Sequence, residues 1–181
     1  KGEMALDSYK ELAQRATNER NQMFAQMGII TISREIGNHE DVVACADKLL
    51  LMEVIDNDVK REVEFVRAYS LKELNRNSEA EKAWSELAQD VSDIHGAKRD
   101  YYLGQHYYDN NKMATARKTI EAFIEANTPH QYWLARGFIL LSDINRREGK
   151  TFEADEYLKT LKENYPGTED DIFRMIDERL K

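Results

Sequence analysis

Proline is nearly missing from this chain of 181 residues, with two examples, and glycine occurs only eight times. Little is therefore available to break helices. Cysteine is limited to Cys45, so neither an intrachain disulfide nor a cysteine-based metal site can form. Cys45 stands in Val42-Val43-Ala44-Cys45-Ala46 and is read as a small buried hydrophobe. Cations are in deficit, 26 Lys and Arg against 34 Asp and Glu, for a net charge of −8. Phosphate recognition needs a clustered basic surface, so nucleic acid is not an expected partner. Long apolar runs are lacking too. Stretches such as Phe138-Ile139-Leu140-Leu141 are core-sized, and no segment of this sequence reads as a membrane span.

Enzyme signatures are equally scarce. The sequence has no Gly-rich phosphate loop, no His-Glu-x-x-His and no Gly-x-Ser-x-Gly elbow. No catalytic or cofactor-binding residue is assigned, and no cofactor is expected. The four histidines (His39, His95, His106 and His130) are scattered. His106 and Asp109, three apart, make the nearest approach to a metal pair and are read instead as solvated or groove-lining, so no metal site is assigned. Glu79, Glu81 and Glu86 are read as surface carboxylates.

What is present is helix-forming. Hydrophobic residues make up 41% and charged residues 33% of the chain, with only Gly28-Ile29-Ile30-Thr31-Ile32 reading as strand-like. An all-α class follows. A pattern recurs along it: a loop residue, a small residue five positions on, then an aromatic or aliphatic residue four and seven positions later. It reads Gly37, Val42, Ala46, Leu49; Asn75, Ala80, Trp84, Leu87; Asn111, Ala116, Ile120, Phe123; and Gly149, Ala154, Leu158, Leu161. The small residues at 42, 80, 116 and 154 give intervals of 38, 36 and 38. A partial copy opens the chain at Ala5, Tyr9 and Leu12. Upstream of three loops lies another small residue (Ala68, Gly104 and Ser142) that lets paired helices approach closely.

The motifs Leu103-Gly104…Tyr107, Glu79-Ala80, Glu153-Ala154 and Asn164-Tyr165-Pro166-Gly167 resemble the tetratricopeptide repeat family over nearly the whole chain. The first unit departs from the family pattern, with Ile30 and Val42 where small residues are usual. Repeats of 36 to 38 residues exceed the usual 34 and imply longer first helices or connections. Residues 132–165 also resemble the C-terminal ends of large repeat proteins of Bacteroides-type bacteria, which leans towards the cell envelope or periplasm, with the cytoplasm as the alternative.

The resemblance implies a right-handed α-solenoid of antiparallel helix hairpins, a superhelix closed by a C-terminal capping helix. Its parts are a half repeat over 1–18, hairpins over 19–56, 57–93, 94–129 and 130–167, and a cap over 168–181. Helices are expected at 3–15, 19–36, 39–52, 57–74, 78–91, 96–109, 112–126, 130–148, 151–164 and 169–180. Asn18, Asn77, Thr151 and Thr168 are expected N-caps, and Gly37 and Gly149 C-terminal stops. A chain opening at Lys1 on half a repeat, with no methionine at its first position and no signal-like segment, reads as a piece of a larger bacterial protein. A stripe of Met4, Leu6, Tyr9, Leu12, Ala13 and Ala16 then predicts a weak homodimer through the N-terminal hairpin, or a mobile first helix.

In the family the first helix of each hairpin lines the concave groove. Carried onto this chain, the face holds Phe24, Met27, Thr31 and Arg34, then Glu62, Phe65, Tyr69 and Lys72. It continues through Lys98, Tyr101, Gln105 and Tyr108 to Arg136, Ile139, Asp143 and Arg146. Aromatic anchors suit a protein or peptide partner. The Lys and Asn set of a carboxylate clamp is not in place, so a reader of C-terminal carboxylates is not expected. Two other classes stay open: a structural spacer or oligomerisation module whose groove is filled by its own chain, and an accessory domain of an enzyme lying upstream.

Overall fold

The structure, a computed structural model, describes residues 2–87 and 90–181. Its regular elements there are all helices: α1 (Gly2–Arg15), α2 (Glu19–Glu35), α3 (His39–Leu49), α4 (Asn57–Glu73), α5 (Asn77–Glu86), α6 (Ile94–Asp109), α7 (Met113–Glu125), α8 (Gln131–Arg147), α9 (Thr151–Asn164) and α10 (Asp170–Arg179). The strand-like run 28–32 lies inside α2. Most boundaries fall close to expectation. Two helices end early: α3 at Leu49 rather than 52, and α5 at Glu86 rather than 91. The expected continuation of α5 through Ala88 and Gln89 lies outside the described residues.

The chain divides into two compact units, Lys1–Leu87 and Ala88–Lys181. In the first, α1 packs on α2, and the hairpins α2–α3 and α4–α5 stack through α3 and α4. In the second, the hairpins α6–α7 and α8–α9 stack the same way, and α10 lies against α8 and α9. That placement is the one α8 takes on α6 and α7, so α10 packs as a further first helix. The excess repeat length sits in the first helices: α2, α4 and α8 have 17 residues each and α6 has 16.

One turn joins every hairpin. Gly37, Asn75, Asn111 and Gly149 take left-handed backbone at φ 74°, 57°, 58° and 81°. The residue after each returns its N–H to a carbonyl five positions back: Asn38 to Ser33, Arg76 to Leu71, Lys112 to Tyr107 and Lys150 to Asn145, at 2.8–2.9 Å. This closure satisfies the last carbonyls of the first helix and fixes where the second begins. Five residues on, Val42, Ala80, Ala116 and Ala154 are fully buried. Four further, so are Ala46, Trp84, Ile120 and Leu158. These columns form the core. Close approach is paid for by small residues: a Cβ on Gly104 would lie 2.4 Å from Ile120 Cδ1, and one on Gly28 2.3 Å from the Tyr9 ring.

The caps differ from expectation at three of four positions. Asn18 does accept the N–H of Asn21 at 2.8 Å. Asn77 and Thr151 are instead the first helical residues, behind Arg76 and Lys150, and Thr168 lies one residue before the cap position at Glu169; none of the three helices has a side-chain cap. In the tight hairpin turns the pre-helical residue already closes the preceding helix. Side-chain caps fall between hairpins at Asn18, Asp56 and Asp93, and in one hairpin turn at Asn38, which both closes α2 and caps α3.

Candidate interaction site

In the N-terminal unit, the residues expected on the groove face of α2 and α4 have varied surroundings. Arg34 Nη1 lies 3.3 Å from Glu62 Oε1, tying the two first helices together. Thr31 is exposed, and Met27 is half-buried. Phe24 is 59% exposed, with its ring 6.0 Å from that of Tyr9. Tyr69 is half-buried with its ring 6.2 Å from His39; burial, and then Glu73, push its hydroxyl pKa up. Lys72 lies 3.3 Å from Glu73. Phe65 is buried, with its ring edge-on to Trp84 at 5.4 Å, and belongs to the core.

The C-terminal unit gathers more of the expected residues. Tyr101 belongs to the buried core, yet its hydroxyl donates to Gln105 Oε1 at 3.2 Å. Gln105 donates on to Asp109 at 2.8 Å. From α8, the guanidinium of Arg136 lies 4.8 Å over the Tyr101 ring, with Trp133 and Tyr132 at 5.6 and 5.7 Å. It donates to the Tyr101 and Tyr132 hydroxyls at 3.1 Å each. Tyr132 in turn donates to Asp171 of α10 at 2.7 Å. Among the described residues Arg136 has no carboxylate within ion-pair distance. Its charge is held by rings and phenolic oxygens, an arrangement that favours an approaching anion or polar backbone.

Asp143, Ile139, Gln105, Tyr101 and Arg136 line a pocket of about 140 Å³, which Met175 and Arg179 of α10 close. Tyr108 lies beneath Arg147, whose guanidinium carbon is 4.0 Å from the ring centre. Arg146 turns aside to its hairpin partner and pairs with Asp155 at 2.5 Å. Lys98 is half-buried in the first turns of α6. Sequence reasoning missed Arg179 and Met175. Treating α10 as one more first helix would have placed them on this face.

His106 is buried, with Asn110 Nδ2 3.4 Å from its Nδ1, while Asp109 is exposed. This corrects the reading of that pair as solvated or groove-lining, because the histidine faces the core. No group of three or more His, Cys, Asp or Glu able to hold a metal occurs among the described residues. Cys45 is buried as expected, and burial raises its thiol pKa. Glu79 is exposed and paired with Arg76 at 2.6 Å.

The shared turns, the buried columns and the stacked hairpins define a helical-hairpin repeat fold of the tetratricopeptide type. Among solved structures the chain is similar to MamA. A crystal structure of MamA matches with a TM-score of 0.67 at 15% identity, over 98% of this chain and 88% of that one. MamA 41-end from Desulfovibrio magneticus RS-1 matches with a TM-score of 0.68 at 16% identity, over 90% of this chain and 84% of that one. At such identities the likeness shows the fold alone. No protein-family model matches the chain, and no curated protein matches it by sequence. The likeness of 132–165 to Bacteroides-type repeat proteins finds no support in these comparisons.

Proposed function

We propose that this chain is a non-enzymatic protein-interaction scaffold, taking a peptide or protein segment along α6 and α8, the first helices of the hairpins in its C-terminal unit. The observation that carries this is Arg136: a guanidinium held by the Tyr101 and Tyr132 hydroxyls, with no carboxylate within ion-pair distance among the described residues. Tyr132 and Trp133 beside it, and Tyr108 further along α6, are half-buried and offer aromatic contact area at low entropic cost. The carboxylates near by, Asp143 and Asp171, are each already engaged.

Peptide display against the 181-residue chain tests it. Enriched peptides should bind Arg136→Gln and Tyr108→Ala at least about tenfold more weakly than the unmodified chain. No enrichment, or peptides indifferent to both changes, would remove the proposal.

A second reading is favoured by one feature. Met175 and Arg179 already occupy part of this face, as a spacer filled by its own chain would require. If α10 competes with an outside segment, Arg179→Ala raises peptide affinity. If the face is purely structural, that change only loosens α10.

A further inference from the structure

A second surface lies elsewhere on the C-terminal unit. Between α8 and α9 runs a cleft of about 540 Å³, far larger than the pocket beneath Arg136. Leu134 and Phe138 of α8 and Phe152 and Tyr157 of α9 are among its apolar lining, with Tyr165 and Pro166 beyond the end of α9. Neither α7 nor α10 contributes to it, so the stacking of hairpins leaves it open. Phe152 is 75% exposed and Tyr157 42% exposed. A phenylalanine so exposed does nothing for the core, and beside a cleft it offers an anchor.

The charge on the cleft's lining is acidic. The only charged residues lining it are Glu153 and Glu156. Glu156 is answered by Lys159 at 2.9 Å, but Glu153 makes no ion pair among the described residues. The lined part of α9 runs from Phe152 to Asn164, about 18 Å at 1.5 Å per residue. That is about three turns of a third helix, laid as a ridge into the groove between two others.

We propose that this cleft docks an amphipathic helix of a partner protein, apolar on the buried side and flanked by lysine or arginine. Two or three large apolar side chains at i, i+4 and i+7 would meet Phe138, Phe152 and Tyr157, and a flanking cation would meet Glu153. A second copy fits poorly. The chain carries a net charge of −8, and its exposed Met4 on α1 is flanked by Glu3 and Asp7, which would bring acids against acids. The surface is separate from the face around Arg136, and the two stand or fall independently.

Two labelled synthetic helices of about 14 residues test the assignment, sharing one apolar ridge and flanked in one by lysine, in the other by glutamate. Fluorescence anisotropy on the 181-residue chain should show one-to-one binding of the lysine peptide, at least about tenfold tighter than its glutamate twin. Phe152→Asp should weaken the lysine peptide about tenfold or more, although it makes the surface more negative. Glu153→Lys should weaken it several-fold and improve the glutamate twin. Tyr108→Ala should change neither. Equal binding of the two peptides, or lysine-peptide binding that survives Phe152→Asp, would reduce the effect to general attraction and overturn the proposal. A dimer in sedimentation that Phe152→Asp dissolves would make a second copy the occupant, and would overturn it as well. Circular dichroism of each variant confirms that the exposed substitutions leave the fold intact. Tyr157→Ala provides an uncharged check on the same wall.

Discussion

Arg179 grips Asp143 with two arms, donating from Nε and Nη2 to the two carboxylate oxygens at 2.7 Å each. Its remaining nitrogen, Nη1, donates to the Met175 carbonyl at 3.0 Å, so the guanidinium is braced against its own helix. Both side chains are mostly buried, at 29% and 19% exposure. Two-armed pairs in such surroundings exceed ordinary surface ion pairs. Arg179→Ala should release α10 at a cost of roughly 1–3 kcal/mol. Hydrogen exchange should show faster amides in 170–179, with α6 and α7 unchanged.

Gly104 lies where α6 meets α7. A leucine there must displace Ile120, whose Cδ1 and Cγ1 lie 2.4 and 2.5 Å from the would-be Cβ. Gly104→Leu should destabilise by roughly 1–3 kcal/mol in a thermal melt. Pairing it with Ile120→Ala should recover part of that loss.

Trp84 and Phe152 make a matched contrast. Trp84 is wholly buried, and Trp84→Ala should cost roughly 3–5 kcal/mol. Phe152→Ala should leave the unfolding free energy within about half a kcal/mol of the unmodified chain. Equal effects at the two sites would mean that the hairpin register is misassigned.

Acid should test the tie between α7 and α8. Arg117 donates to both oxygens of Glu148 at 3.0 and 2.8 Å, and Lys150 to one of them at 2.8 Å. These bonds, Arg117's first, hold the Glu148 carboxyl at a pKa of about 2. Unfolded, it titrates near 4.3. The folded value is the lower one, so the contribution is whole above about pH 4.3 and lost as pH falls towards 2. The stability difference between the unmodified chain and Glu148→Gln should therefore be largest at neutral pH and vanish in strong acid. Denaturant titration across that range measures it.

Helix α1 should exchange faster than α8. Of the α1 residues only Leu6 is buried, whereas α8 buries eight. Hydrogen exchange in a strict monomer should give less protection to 2–15 than to 131–147. Equal protection would remove the basis for a mobile first helix.

The hairpin register was legible because left-handed turns select Gly and Asn, and those residues stand at fixed distances from the buried columns. The caps were less legible. Arg76, Lys112 and Lys150 adopt one shared backbone geometry, near φ −81° to −93° and ψ 58° to 62°, without any side-chain bond to the helix they precede. A rule that looks for Ser, Thr, Asn or Asp passes over them. On the candidate face, counting places residues on a side of a helix but cannot decide depth. Phe65 and Tyr101 therefore turn out buried beside their half-exposed neighbours. Arg179 reaches Asp143 across 36 residues, a pairing set by stacking and invisible to local pattern.

Within each unit every helix touches only those one or two places along the chain. Closing such contacts costs little loop entropy, so the hairpins should assemble quickly from local pieces. The same locality confines damage. A chain carrying Gly104→Leu should lose the α6–α7 hairpin before the α2–α3 hairpin, and its unfolding should broaden into separable steps.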